Sequence, residues 1–436
     1  MLADWHDLGS VQEIAAAVRS GTIDPIDLAE RALRRAEETA ELNAVVYLDA
    51  EGARAAAATA DRGGALAGVP VLVKEIVEVE GLPFRCGSRA LEDRVGVRDA
   101  ELVRRLRAAG AVIIGLSHTH EFAYGCTGTS NRVGPCRNPH DLDRMTGGSS
   151  AGSGAAVAAG VVPLAIGTDT AGSVRIPAAL CGVVGFKPAR DTLPADGVFP
   201  LAQSLDHVGV LTATVADAQY AIDALADLPL ERTTSTAPPR LGLISNPEHR
   251  DHSAEVGQAW SVAVDRLRAA GATTAEVELP DWSETNRTAI DLQGPEAVAN
   301  HAGRSTEAYQ ADVQLRLREA AEVPAWRYVQ ARAEAATLTA TVTKLFGQVD
   351  ALLMPTLPIV APHLDATKVD GPAGPIGVRA RLMRNTRLAN VTGHPAVSVP
   401  IASSGLPVGM QVLSVDDEAA CRAALWIEQT LDVERA

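Results

Sequence analysis

Short runs that are apolar at nearly every position are the feature that most narrows what this chain can fold into. They are Val69–Val73, Val112–Gly115, Val161–Ile166, Leu241–Ile244, Ala351–Met354 and Ala396–Val399, each with turn residues nearby. A run of four to six such residues is strand-sized, and continuous rather than alternating apolarity asks for burial on both faces. Helical stretches lie between several of them, including Ala100–Ala109 and Gly257–Ala270. Strands of this kind alternating with helices predict a largely buried α/β sheet.

Ahead of the first run, residues 10–60 read as Ala-rich amphipathic helices. Ser10 to Ser20 opens with the capping-box pattern Ser-x-x-Glu (Ser10, Glu13), and Thr22 to Arg35 has acidic residues in its first turn. Asn43–Leu48 resembles a short strand, and Glu51–Asp61 a further helix. Glu231–Pro239 is the best candidate linker and Gly371–Gly377 a second loop, but strand-like segments resume beyond both. Neither is read as a domain boundary.

Composition limits the partners. Hydrophobic residues are 47% of 436 and aromatics only 3%, so the chain is globular with a core of Ala, Val, Leu and Ile. The balance of 39 basic against 54 acidic residues gives −15, which repels phosphate backbones and anionic membranes. Five cysteines (Cys86, Cys126, Cys136, Cys181, Cys421), an odd number with no CxxC pair, read as reduced thiols of a cytoplasmic protein. No basic stretch followed by an apolar one opens the chain, so no signal peptide is expected. The run Ala155–Ile166 is too short for a bilayer and contains Gly160 and Pro163. Neither nucleic acid nor a membrane is an expected partner.

The densest unusual stretch is Thr146 to Pro188, where glycines flank serines twice. Glycine lets a substrate approach the main chain, and exposed N–H groups in a loop entering a helix can hold an anion or a developing oxyanion. A Walker-type phosphate loop fails, since neither loop ends in Gly-Lys-Ser/Thr. Gly148-Ser149-Ser150-Ala151-Gly152 matches a nucleophile elbow formally, yet Asn138–Thr146 before it is polar where an elbow needs a buried strand. The plainest reading makes one or both serines helix N-caps without chemistry.

Three blocks, GVPVLVKE at 68–75, GGSSAGS at 147–153 and GTDTAGSVRIPAALCGVVGFKP at 167–188, resemble those of the amidase signature family. The resemblance continues through EFAYGCTGTSN, GPCRNP, SLDHVGV, DALLMPTLP, TGHPAVSVP and GLPVGMQ, in order over nearly the whole chain. It implies one large domain over 1–436 with a mixed central β-sheet covered by helices on both faces: a helical segment to about 65, a catalytic core over about 66–215, and a remainder that completes sheet and pocket. It further implies that Ser173 is the nucleophile, Ser149 a bridging serine after a cis peptide, and Lys74 the base. The backbone N–H groups of Thr170, Ala171, Gly172 and Ser173 would form the oxyanion hole.

The residue types suit that chemistry. A serine hydroxyl needs a base, and lysine serves only when burial lowers its pKa from about 10.4. As a strand, Val71–Ile76 puts Lys74 on one face with Leu72 and Ile76, which argues for burial over an amine snorkelling to water. Asp169 and Arg175 flank Ser173 and would pair, either to hold its loop or as an ordinary surface ion pair. Cys126 and Thr127 lie where the family often lines its acyl pocket, against the plainer reading of an ordinary loop. His118-x-His120 resembles a metal-binding pair, but two ligands are not a site and the other histidines lack ligand spacing. No metal or cofactor is expected.

Three positions depart from the family pattern. Ala171 replaces the usual Gly, as in the allophanate hydrolase branch, Glu75 replaces Asp, and Leu116 stands where many members have Lys. If position 171 needed a positive φ, alanine would cost about 1 kcal/mol. The loops point towards small, urea-like or short acyl substrates. Arg381, Arg384 and Arg387 are candidates for a carboxylate clamp, against the plainer reading of a basic helix face. The expected activity is hydrolysis of a small-molecule carboxylic amide through a seryl acyl-enzyme. Its alternatives are the amidase subunit of a tRNA-dependent amidotransferase and an allophanate- or biuret-type hydrolase. A non-enzymatic binding protein on the same scaffold is disfavoured by the presence of all three triad positions. For assembly, a homodimer is the common arrangement of soluble enzymes.

Overall fold

Residues apolar at every position fold into strands that are covered on both sides. The computed structural model describes residues 5, 7–226, 228, 237–371 and 374–431. Within it one sheet takes β1 Val45–Leu48, β2 Pro70–Lys74, β3 Val112–Ser117, β4 Leu164–Asp169, β5 Val184–Lys187 and β6 His207–Thr212. It continues with β7 Arg240–Ile244, β8 Thr273–Val277, β9 Ala351–Pro355, β10 Ala396–Ile401 and β11 Val408–Leu413. The order across the sheet is β1-β3-β2-β4-β6-β5-β10-β11-β9-β7-β8. Parallel pairs join β3, β2 and β4, and again β9, β7 and β8, while the remaining neighbours are antiparallel. The sheet is therefore mixed.

Every residue of β2, β3, β4 and β6 is buried. Side chains alternate between the two sides of a strand, so both faces of the sheet centre are covered. The helix Ala151–Ala158 packs on these strands and on the helix Arg175–Cys181, which lies on β5, β10 and β11, and a second set, Val215–Ala226 with Asp417–Leu431, also packs on the sheet. Small side chains let them approach closely: all eight residues of Ala151–Ala158, Gly, Ala, Ser and Val, are buried.

Most of the predicted elements form close to the predicted places. Ser10 caps the helix Val11–Arg19 with both hydrogen bonds of the capping box, and Asp24 with Pro25 starts Pro25–Glu38. The run Val161–Ile166 is shifted: Pro163, which has no N–H for a ladder, precedes β4, and the strand extends to Asp169. The linker candidate Glu231–Pro239 lies outside the described residues over 231–236. In Gly371–Gly377, residues 372–373 are also outside them, and Ile376–Gly377 pairs with Lys368–Val369. The helices Trp282–Asn300, Ala311–Ala320 and Ala325–Leu345 are not legible in the sequence pattern. The first carries Gly294 and Pro295 in its interior, and the third buries only Ala331, Leu338 and Val342. Among the described residues, no helix is long and apolar enough to cross a membrane.

Because β2, β3 and β4 run parallel, their carboxyl ends share one edge of the sheet. Lys74, Ser117 and Asp169 are the last residues of those strands. The open end of parallel strands is where α/β sheets place their ligands.

Candidate active site

Lys74 is wholly buried at the end of β2. Its Nζ donates to Ser149 Oγ at 2.7 Å, Thr168 Oγ1 at 2.8 Å and Ser150 Oγ at 3.0 Å. The amine does not snorkel: three neutral hydroxyls surround it, and it has no ion pair with a carboxylate among the described residues. Burial lowers its pKa from 10.5 to about 7, against the opposing charges of Asp169, Asp206 and Glu75. Near pH 7 a substantial fraction is therefore neutral amine, able to accept a proton. With Lys74 as the expected base, kcat/KM should rise with pH and level off above about pH 7, as the amine loses its proton. A pH–rate profile still rising towards pH 10 would place an ordinary lysine there.

Ser149 and Ser150 end the loop that enters the helix Ala151–Ala158, and the Gly148–Ser149 peptide is cis, as the resemblance implies. Ser150 occupies the cap position, as the N-cap reading has it, but makes no capping hydrogen bond and turns its hydroxyl to Lys74 instead. Its hydroxyl is committed: it accepts from Lys74 and from Thr168 N–H at 3.2 Å, and donates to the Thr168 carbonyl at 3.1 Å. Ser149 Oγ accepts from Lys74 and its own proton has no acceptor among the described residues. Of the two serines, Ser149 is thus free to pass a proton. The elbow reading also falls, because Asp141–Met145 lies outside the main sheet, pairing with Arg137–Asn138 and bridging from Arg144 to His363.

The loop after β4 is held by Asp169. Its carboxylate accepts from Gly172 N–H at 2.7 Å, Val174 N–H at 3.1 Å and Asn390 Nδ2 at 2.8 Å. Arg175 meets it through Nε at 3.1 Å and Nη2 at 2.9 Å, both side chains being fully buried. Arg175 spends its remaining donors on Thr386 O, Gln411 Oε1 and Asn390 Oδ1. Burial alone would raise the Asp169 pKa, but the Arg175 charge and hydrogen bonds, with Lys187 and Asn390, hold it below the usual carboxylate range. The surface-pair reading of Asp169 and Arg175 is overturned. Thr170 is tied as well, donating to Asp206 at 2.5 Å.

These contacts narrow the expected oxyanion hole. Gly172 N–H is already taken by Asp169, whereas those of Thr170, Ala171 and Ser173 meet no acceptor among the described residues. The positive φ of the loop, +121°, falls on Gly172, not on Ala171, so the alanine carries no such strain. A Cβ on Gly172 would lie 2.3 Å from Thr386 Oγ1 and 2.6 Å from Thr386 Cβ. Gly172→Ala is expected to cost on the order of 1–3 kcal/mol and to lower turnover at least about tenfold, read by denaturation and steady-state kinetics. Ser173 is 6% exposed, and its carbonyl accepts from Ser150 N–H at 3.2 Å. Its hydroxyl makes no hydrogen bond among the described residues, and the backbone bond from Ser150 is what joins the two loops here.

Of the remaining candidates, Cys126 is buried and donates to the Arg379 carbonyl at 3.9 Å, while Thr127 bonds Thr129 at 2.8 Å. Gly148 fits tightly against this segment, as a Cβ there would meet Gly128 N at 2.9 Å. His118 and His120 diverge, the first to the Gly134 carbonyl at 2.9 Å and the second to Asp312 at 3.0 Å. No group of three or more His, Cys, Asp or Glu among the described residues is placed to hold a metal. The basic-face reading of the arginines is overturned too: Arg381 and Arg387 are buried, and Arg381 and Arg384 both pair with Asp251. Glu75 is buried and accepts from Asn131 at 2.7 Å, and Leu116 is buried in β3. A cavity of about 290 Å³ reaches the site at Thr168 and Thr170, walled by Ile76, Phe199 and Leu201. Sequence reasoning missed Ser150 and Thr168 as partners of Lys74. The doubled serine of GGSS and the threonine two residues before Thr170 were the available signals.

The family model described as Amidase matches residues 27–418. The 2-amino-5-chloromuconic acid deaminase of Comamonas testosteroni is 35% identical over 93% of this chain and 92% of its own. A glutamyl-tRNA(Gln) amidotransferase subunit of Deinococcus radiodurans is 33% identical over 92% of each. A crystal structure of an amidase superposes with a TM-score of 0.91 at 33% identity, covering 97% of this chain and 100% of that one.

Proposed function

Because the chain belongs to the amidase signature family, a hydrolase family, we propose that it cleaves a carboxylic amide to acid and ammonia or amine through an acyl-enzyme on Ser173. The observation that carries this reading is the buried Lys74 amine 2.7 Å from a serine hydroxyl whose proton is uncommitted. Neutral Lys74 takes the Ser149 proton as Ser149 takes that of Ser173, and Ser173 Oγ attacks the amide carbon. The carbonyl oxygen becomes an oxyanion held by the N–H groups of Thr170, Ala171 and Ser173. As the C–N bond breaks, the proton returns through Ser149 to the departing nitrogen. Water, deprotonated along the same relay, then attacks the acyl-enzyme and releases the acid and Ser173. Cys126, against the bridging loop, and the Ala171 methyl contribute to the wall of the acyl pocket.

The experiment is a panel of aliphatic, aryl and biuret-like amides with ammonia and amine release measured. Turnover of some members, each following burst kinetics or nucleophile partitioning of an acyl-enzyme, supports the reading. Inertness of the whole panel with a folded enzyme counts against it. A second reading is favoured by the similarity to the glutamyl-tRNA(Gln) amidotransferase chain: glutamine hydrolysis with ammonia passed to partner subunits. Such a chain is poorly active alone and copurifies with its partners. An allophanate- or biuret-type substrate is a third arm of the same panel, suggested by Ala171.

A further inference from the structure

Two guanidinium groups beside the site have no anionic partner among the described residues. Arg387 is 5% exposed, its Nε is buried without an acceptor, and its one side-chain hydrogen bond among the described residues is from Nη2 to Met383 Sδ at 3.7 Å. The part-exposed Arg379 likewise has a buried Nε without an acceptor and forms no side-chain hydrogen bond or ion pair among the described residues. The neighbouring arginines differ: Arg381 and Arg384 share Asp251, Arg316 pairs with Asp312, and Arg175 uses every donor. A buried cation without a counter-charge is strongly unfavourable, because desolvation is not offset. Burial and then the charge of Arg379 push the Arg387 pKa down to about 9, in line with that crowding.

Their position connects them to the chemistry. Thr386, one residue before Arg387, donates to the Ala171 carbonyl at 2.6 Å and abuts Gly172. Cys126 donates to the Arg379 carbonyl, and its own backbone carbon lies 3.5 Å from where a Gly148 Cβ would be. The main chain carrying the two arginines thus packs against the loops that hold the free N–H groups and the bridging serine, and both positive charges act on Cys126. This local positive charge sits in a chain of net charge −15, so it is not part of a general basic surface.

We propose that Arg387, with Arg379 beside it, binds a carboxylate carried by the amide substrate. The Arg387 Nε–H has no acceptor, and a guanidinium donor left free in this way suits a carboxylate. This deepens the amidase reading and rests on it. Of the three arginines that the sequence offers as a clamp, only Arg387 belongs to this site, and Arg379 joins it from outside that set.

The test compares succinamate, glutaramate and adipamate with butyramide, pentanamide and hexanamide, by ammonia release. The wild-type enzyme is expected to prefer at least one carboxylated amide over its neutral counterpart by about 100-fold in kcat/KM. In Arg387→Gln the preference should fall below about tenfold, mainly through KM, with Arg387→Lys intermediate. Removing an unpartnered cation should leave Tm unchanged or higher, so an Arg387→Gln chain that fails to fold contradicts the proposal. Without any variant, succinate, glutarate or adipate should inhibit the wild type competitively, and no inhibition by any of them counts against the site. Equal turnover of both series with Ser173 acylated sinks the anion site and leaves the hydrolase reading standing. No turnover of either series and no labelling of Ser173 sinks the hydrolase reading and the proposal with it.

Discussion

Replacing Ser173 by alanine is expected to lower kcat by on the order of 10⁴ or more while leaving the fold intact. That loss corresponds to about 5 kcal/mol or more of transition-state stabilisation, which a change in packing at this site could not supply. The Ser173 hydroxyl has no hydrogen bond among the described residues, so its removal strands no partner and Tm should barely move. Ser149→Ala and Lys74→Met should come close to the same loss, because nucleophile, bridge and base act as one unit and their effects do not add. Ser150→Ala should be milder, since its proton is committed to the Thr168 carbonyl and its role is to hold Lys74. Steady-state kinetics on any amide the enzyme turns over checks all four. Near wild-type turnover in Ser173→Ala would overturn the mechanism.

The largest effect on stability is expected from Asp169→Ala. That change leaves Arg175 charged, wholly buried and without its carboxylate, and frees the N–H groups of Gly172 and Val174. Breaking a buried pair by removing one partner costs about 3–5 kcal/mol, a large part of the roughly 5–15 kcal/mol that typically holds a domain together. The folded Asp169 carboxyl is held below its unfolded pKa, so its contribution is present above the unfolded value of about 3.8 and is lost as pH falls. Chemical denaturation at pH 7 should therefore show a much lower midpoint for Asp169→Ala, with inclusion bodies on expression as the extreme outcome. A midpoint unchanged within error would mean that the pair holds the loop without holding the fold. Activity should fall as well, because the same carboxylate fixes the turn that presents Ser173.

How much of this was legible depended on how local the cause was. The burial of Lys74 was legible from Leu72 on the same strand, although β2 ends at Lys74 and Ile76 lies beyond it, and the two Gly-rich loops are contiguous segments. The capping box at Ser10 and Glu13 is equally local. The contacts that could not be read join positions far apart: Arg175 reaches Asn390 across 215 residues and Gln411 across 236. Whether Asp169 and Arg175 lay at the surface or in the core could not be settled by their spacing, since burial is decided by what packs on them. Position 171 gives the same lesson in miniature. The loop requires positive φ one residue later, at Gly172, so the unusual alanine is tolerated without strain. The arginines also show it, because only the fold reveals that Asp251 neutralises Arg381 and Arg384 but leaves Arg387 unpaired.

The central claim is that Ser173 becomes covalently acylated with Lys74 as its base. It is tested most directly by treating the enzyme with a fluorophosphonate and mapping the adduct by intact and peptide mass spectrometry across pH. The account predicts one adduct per chain, on Ser173, with a labelling rate that rises through about pH 7 and is lost in Lys74→Met. An adduct on another residue, or full amide turnover by an enzyme whose Ser173 stays unmodified, would contradict it.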